Sequence, residues 1–261
     1  MSDLSRYTLQ AVAYAEAAAA GARIGPPHAA VERPVGRLEA AAARRFLDDL
    51  ARAAAGWRYW YDDAAAARAI EHMESLCHVK GEQRGHPLRF EPVQLFGLCQ
   101  LFGWREATTG VRRFRQVYEE VGRKNAKSTK LAALGHYMLV ADGEPGAEVY
   151  NGATSEKQAG MVWQPAREMV ELSDGYQRRH RVQAGVRKMQ HLPSGSVWQP
   201  MIGVPGDGGS PHFACIDEYH EHRTSAQLDS MTTGLGARRQ PIVYVITTAG
   251  DDTASPCFAL R

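Results

Sequence analysis

Two short apolar runs limit what this chain can fold into. Residues 213–216 and 241–248 are continuous rather than alternating and rich in branched side chains, the pattern of strands covered on both faces. Ahead of them, residues 113–121 alternate like a strand, 127 to about 140 read as a helix, 147–150 as a strand and 155–172 as a helix. Strand alternating with helix implies an α/β fold with a mostly parallel central sheet flanked by helices. A hairpin-like region surrounds Pro193-Ser194-Gly195-Ser196. At 261 residues and 44% hydrophobic composition, the chain suffices for one large domain with a small helical element added.

That element belongs at the start. Leu38, Phe46, Leu47 and Leu50 fall near one helical face, and Asp62-Asp63 leads a second helical pattern through Ile70, Met73, Leu76 and Val79. Residues 21–34, rich in proline and glycine, read as a loop, and residues 93–102 as a short apolar helix. The expected division is a helical region over 1–85, lid-like and packed on the core, and the α/β core over 86–261.

The charge of +2, from 31 basic and 29 acidic residues, gives no global attraction to nucleic acid, so any such contact must rest on a local patch. Cys77, Cys99, Cys215 and Cys257 lack metal-ligand spacing and read as reduced, mostly buried thiols. No stretch reaches the ~18 apolar residues of a membrane span, and the chain reads as cytosolic.

The first chemical signal is Gly122-Arg123-Lys124-Asn125-Ala126-Lys127-Ser128-Thr129, between the strand and the helix. A phosphate site needs a tight turn with inward N–H groups, a helix N-terminus aimed at the anion, a lysine and a magnesium-binding hydroxyl. Lys127, Ser128 and the following helix supply these. Val121 and Ala126 stand where G-x-x-x-x-G-K-[ST] has its two glycines. The competing reading is a basic helix start capped by Asn125 or Ser128, with Arg123, Lys124, Lys127 and Lys130 as a solvated face.

The second signal is Asp217-Glu218 at the end of the run 213–216. A carboxylate at the C-terminal end of a parallel strand lies where α/β sheets bind ligands; Asp217 there suits a magnesium ion, and Glu218 suits orientation or deprotonation of an attacking water. His220 and His222 follow, read as polar loop histidines because no third ligand stands at a metal-binding spacing.

In order along nearly the whole chain, further segments accompany these signals. They are His78-Val79-Lys80-Gly81-Glu82, Glu91-Pro92-Val93-Gln94, Leu101-Phe102-Gly103-Trp104 and Glu148-Val149-Tyr150-Asn151-Gly152-Ala153-Thr154 with Gln158. After 216–222 come Thr232-Thr233-Gly234, Gly236-Ala237-Arg238-Arg239-Gln240-Pro241 and Ile246-Thr247-Thr248-Ala249-Gly250. The collinear set resembles the N-terminal ATPase domain of the bacteriophage large terminases.

The resemblance implies a P-loop NTPase core of the ASCE or RecA-like kind, ATP and Mg2+ as ligands, and hydrolysis that drives double-stranded viral DNA into a procapsid. It implies that Gln94 reads adenine, that Arg123 is the arginine of a deviant Walker A loop, and that Thr247, Thr248 and Gly250 form the coupling motif. It implies as partners the DNA, the procapsid portal, the small terminase subunit and a homo-oligomeric ring, with a monomer in isolation, no membrane, and the host cytoplasm as location. Arg238 and Arg239 have three readings: a trans-acting finger, a solvated basic turn, or a DNA phosphate contact. Family members continue into a nuclease domain, so DNA cleavage is not expected of residues 1–261. The rival functions are a helicase-like DNA-dependent ATPase and a nucleotide-gated ring-assembly module with little hydrolysis of its own.

Overall fold

A computed structural model describes residues 4–24, 34–173, 175–203 and 209–261. Contacts divide it into two compact units that interleave along the chain: residues 1–71 with 89–114, and residues 72–88 with 115–261.

The first unit holds α1 (Arg6–Ala19), α2 (Arg37–Ala54), β1 (Tyr59–Tyr61) and most of α3 (Asp63–Glu74), then α4 (Pro92–Gly103) and β2 (Trp104–Glu106). Ser5 caps α1 by accepting from the Thr8 N–H, and its own hydroxyl donates to Asp63 at 2.8 Å. Phe46 is fully buried among the rings of Tyr61, Phe96 and Trp104, all edge-on at 5.7–6.3 Å. The Asp49 carboxylate, 1% exposed, meets the Arg113 guanidinium at 2.6 Å. The short antiparallel pair β1–β2 has no counterpart in the sequence reading. Residues 25–33, most of the expected 21–34 loop, lie outside the described residues.

The second unit is built on seven strands: β3 (Gln116–Glu120), β4 (Glu148–Ala153), β5 (Val182–Ala184), β6 (Met189–His191), β7 (Ser196–Ile202), β8 (Pro211–Asp217) and β9 (Ile242–Thr247). Their order is β3-β9-β8-β4-β7-β6-β5. The first five of that order are parallel, and β6 and β5 extend them antiparallel, β6 and β7 being the expected hairpin. Every residue of β8 and β9 is buried, which accounts for their unbroken apolar runs, whereas edge strand β3 is only partly covered.

Helices α5 (Lys127–Val140), α6 (Glu156–Leu172), α7 (Tyr176–His180), α8 (Ala226–Thr233) and α9 (Pro256–Leu260) complete the unit. Helix α5 has almost no polar face, because it is buried through eleven of its fourteen residues. All four cysteines are free and buried, and no helix among the described residues is long and apolar enough to cross a membrane.

Candidate active site

The sheet brings the two chemical signals together. Strand β9 lies between β3 and β8, with Glu120 level with Thr247 and Asp217 level with Ile246. The C-terminal ends of these three strands therefore converge: β3 runs into the glycine-poor loop, β8 ends in the acidic pair, and β9 ends in the two threonines. The Val121 N–H donates to the Thr247 carbonyl at 3.0 Å and carries the β3–β9 ladder one step into the loop.

In the loop, Lys124 (φ 66) and Ala126 (φ 55) are both left-handed. The backbone at 126 thus takes the conformation for which the usual motif has glycine, and alanine holds it at a cost of about 1–2 kcal/mol. Ala126 is the N-cap of α5 and offers no capping oxygen, so the first-turn N–H groups of that helix receive no side chain there. Asn125 does not cap either; its amide donates to the carbonyls of Gly122 (3.1 Å) and Arg123 (3.2 Å), closing the turn on itself.

The competing reading of a solvated basic face fails at two of its four members. Lys127 is 7% exposed and Lys130 4%. Lys130 pairs with Glu119, which also accepts from the Tyr244 hydroxyl. Lys127 places its ammonium 3.2 Å from Glu218 Oε1 and 3.5 Å from the Val121 carbonyl. Arg123 and Lys124 are exposed, as are Gly122, Asn125 and Ala126.

Ser128 donates to Asp217 Oδ2 at 2.9 Å, and the Glu218 N–H donates to Oδ1, also at 2.9 Å. Burial pushes the Asp217 carboxyl above the usual carboxylate range against the Ser128 hydroxyl, and Glu218 beside it adds to the rise. Glu218 is left-handed (φ 51), which turns the chain sharply out of β8 into a single 3-10 turn, Tyr219–Glu221. The Thr248 N–H and hydroxyl both reach Glu218 Oε2 at 3.4 Å.

Histidine 220 differs from its reading as a polar loop residue. Its ring and backbone both contact the Thr247 hydroxyl, at 2.9 and 3.0 Å. The sequence offered one signal for this, its place two residues after the acidic pair. His222 is buried against Tyr219, with ring centroids 5.2 Å apart. Among the described residues no group of three or more His, Cys, Asp and Glu is arranged to hold a metal ion.

Two further residues singled out in the sequence have contacts of their own. Gln94 lies in α4 of the first unit, where its Oε1 accepts from the Glu91 N–H at 3.0 Å. Arg238 lies toward the strand starts of the sheet, opposite the loop, donating to the carbonyls of Ser210 and Gly146 and pairing with Glu144 at 3.2 Å and Glu148 at 3.5 Å. These contacts make it an internal brace, 13% exposed.

The chain is 26% identical to the terminase large subunit of Enterobacteria phage HK97 over 193 residues, 72% of this chain and 37% of that protein. A stretch of 56 residues is 57% identical to protein YmfN of Escherichia coli (strain K12), covering 22% of this chain and 12% of that protein. The crystal structure of the HK97 bacteriophage large terminase matches with a TM-score of 0.61 and 26% identity over 73% of this chain and 39% of that one. This chain therefore spans about two fifths of the HK97 protein's length. Residues 92–261 match the family described as terminase large subunit, ATPase domain, and with that match over well more than half its length the chain belongs to this family.

Proposed function

We propose that the chain hydrolyses ATP at the convergence of β3, β8 and β9, and that as part of a large terminase it drives double-stranded DNA into a procapsid. The observation that carries the reading is the approach of Lys127 and Ser128, at the start of α5, to Asp217 and Glu218 at the end of β8.

Lys127, Arg123 and the α5 N-terminus meet the phosphates, the rest of the loop from Gly122 to Thr129 wraps them, and Gln94 reads the adenine edge through its amide. Ser128 and Asp217 present two hard oxygens 2.9 Å apart, a donor set suited to magnesium, and would hold that ion. When bound, the ion draws negative charge from the phosphate oxygens. Glu218 takes a proton from the attacking water as a P–O bond forms to the γ-phosphorus and the bond to ADP breaks, giving ADP and inorganic phosphate. Thr247, Thr248 and Gly250, at and just beyond the end of β9, register the loss of that phosphate.

A polyanionic partner has a surface to meet. Arg178, Arg179, Arg181, Arg187 and Lys188 are exposed on α7 and the β5–β6 hairpin, and among the described residues none has an ion-pair partner. The Trp163 indole N–H donates to the Val186 carbonyl at 2.7 Å, anchoring the hairpin tip. A host-cytoplasmic site of action, a ring of copies, the portal and the small subunit complete the proposal.

The test is magnesium-dependent ATP turnover across protein concentrations, beside Glu218→Gln and Lys127→Ala. Turnover by wild type, binding without turnover by Glu218→Gln and lost binding by Lys127→Ala support the reading. A wild type that binds no ATP at any concentration overturns it.

A further inference from the structure

The hydroxyl of Thr247 allows a proton inventory. It donates to the Thr248 carbonyl at 2.8 Å, which uses its one hydrogen. It accepts from the His220 backbone N–H at 3.0 Å and meets ring Nδ1 at 2.9 Å. With its hydrogen on the Thr248 carbonyl, the bond to Nδ1 takes its hydrogen from the ring. That same Nδ1 lies 3.4 Å from Glu218 Oε2, the oxygen the Thr248 N–H and hydroxyl also reach. The other Glu218 oxygen, Oε1, faces Lys127.

Glu218 is thus gripped at both oxygens. Lys127 holds one from the phosphate loop, while Thr248 reaches the other from the end of β9 and His220 Nδ1 flanks it at 3.4 Å from the turn after β8. The packing keeps the imidazole close: a Cβ built on Gly250 would lie 3.0 Å from the His220 Cβ, so the strand's exit segment passes the ring with little room for a side chain.

We infer that His220 is a positioning residue, whose Nδ1 edge, bonded to the Thr247 hydroxyl and 3.4 Å from Glu218 Oε2, sets the orientation of the Glu218 carboxylate and ties it to Thr247 and Thr248. The inference rests on the reading of Glu218 as the group that activates water. A displacement of Thr247 passes to Glu218 through one imidazole ring, so the state of the β9 end and the aim of the base are linked. A histidine that only capped its own turn would leave Glu218 unaffected.

Two measurements test this. In steady-state kinetics, His220→Ala lowers kcat roughly 10- to 100-fold with KM changed little, since aim and not phosphate binding is lost. His220→Asn, whose amide N–H stands near the Nδ1 position, recovers part of the loss. Equal losses with alanine and asparagine, or an effect on KM alone, overturn the role. In nitrogen-15 spectra of the imidazole, which need no turnover, His220 shows the Nδ1–H tautomer, and its Nδ1 resonance shifts in Glu218→Gln and in Thr247→Val. An Nε2–H tautomer, or no response to either substitution, overturns the proposal. A wild type that fails to hydrolyse ATP yet gives the expected spectra refutes only the water-activating role of Glu218.

Discussion

The Ser128 hydroxyl donates a hydrogen bond to Asp217 across 2.9 Å, joining the first turn of α5 to the last residue of β8. The bond couples the two chemical signals directly, and it gives the carboxylate a pH signature. Burial raises the Asp217 carboxyl above its ordinary value, so the folded protein takes up this proton at a higher pH than a free aspartate does. A buried charged Asp217 accordingly costs stability as pH rises through the shifted value, and a protonated Asp217 is a poor cation ligand below it. The affinity for magnesium and ATP together is predicted to fall on acidification earlier than an ordinary carboxylate would allow. Titration calorimetry from pH 7 downward checks this, and Asp217→Asn is expected to remove the dependence and reduce turnover by at least 100-fold.

Ala126 stores strain, because its φ of 55 is one that a Cβ disfavours. Ala126→Gly is predicted to relieve it, less the entropy glycine loses on folding, for a net gain below about 1 kcal/mol. The expected rise in melting temperature is about 1–3 °C. A fall would show that the methyl packs against something the loop needs.

Acid should destabilise the second unit through its histidines. His72 donates to or accepts from the Tyr176 hydroxyl at 2.9 Å, and its ring lies 5.1 Å from that of His180. Burial, and then neighbouring His180, His136 and His191, hold His72 down to about 3, while burial is the largest cause that holds the fully buried His136 down to about 4. Both are neutral in the fold and charge readily once unfolded. Their contribution is complete above the ordinary histidine value and is lost as pH falls from about 6.5 toward 4. Denaturant midpoints measured between pH 7 and 4 should decline over this window, on the order of 3 kcal/mol for His136 alone, and His136→Gln should flatten the decline.

Gly135 lies in α5 directly over the indole of Trp198. A Cβ there would sit 2.3 Å from the ring, and the ring cannot retreat, being fully buried with its N–H bonded to Asn151 Oδ1 at 3.0 Å. Gly135→Ala should cost about 1–3 kcal/mol despite the better helix propensity of alanine, read as a lowered denaturant midpoint.

The basic hairpin makes a salt-dependent prediction. Replacing Arg187 and Lys188 together by glutamine should weaken binding to duplex DNA of any sequence and lower the slope of log affinity against log salt by about 2. Both residues are exposed, so the melting temperature should move little. An unchanged slope by fluorescence anisotropy would place the DNA elsewhere.

The central sheet was legible because burial on both faces leaves its trace in continuous apolar runs, as at β8 and β9. The loop, its helix and the acidic pair were legible because phosphate chemistry demands particular residues at particular places, and α5 begins at Lys127 as the pattern predicts. What periodicity missed are the elements too short to show a period, such as β1, β2 and β5. The second helical pattern ends at Glu74 rather than carrying on through Val79, since Cys77 bridges to Pro87 instead. Histidine 220 was illegible in role because its partners lie 27 and 28 residues away on β9 and just past it, a proximity that only the sheet creates.

The interleaving of the two compact units has a consequence for how the chain could be dissected. It passes from one unit to the other at 71/72, 88/89 and 114/115. No single peptide-bond cleavage can separate them, since any one cut leaves at least one unit divided between the two fragments. A cut between 71 and 72, for instance, leaves α1 and α2 on one fragment and α4, with which they pack, on the other. Transplanting the sheet-bearing unit alone requires joining residue 88 to residue 115 by a new linker, and protease mapping of the native protein would report nicked chains that still migrate as one.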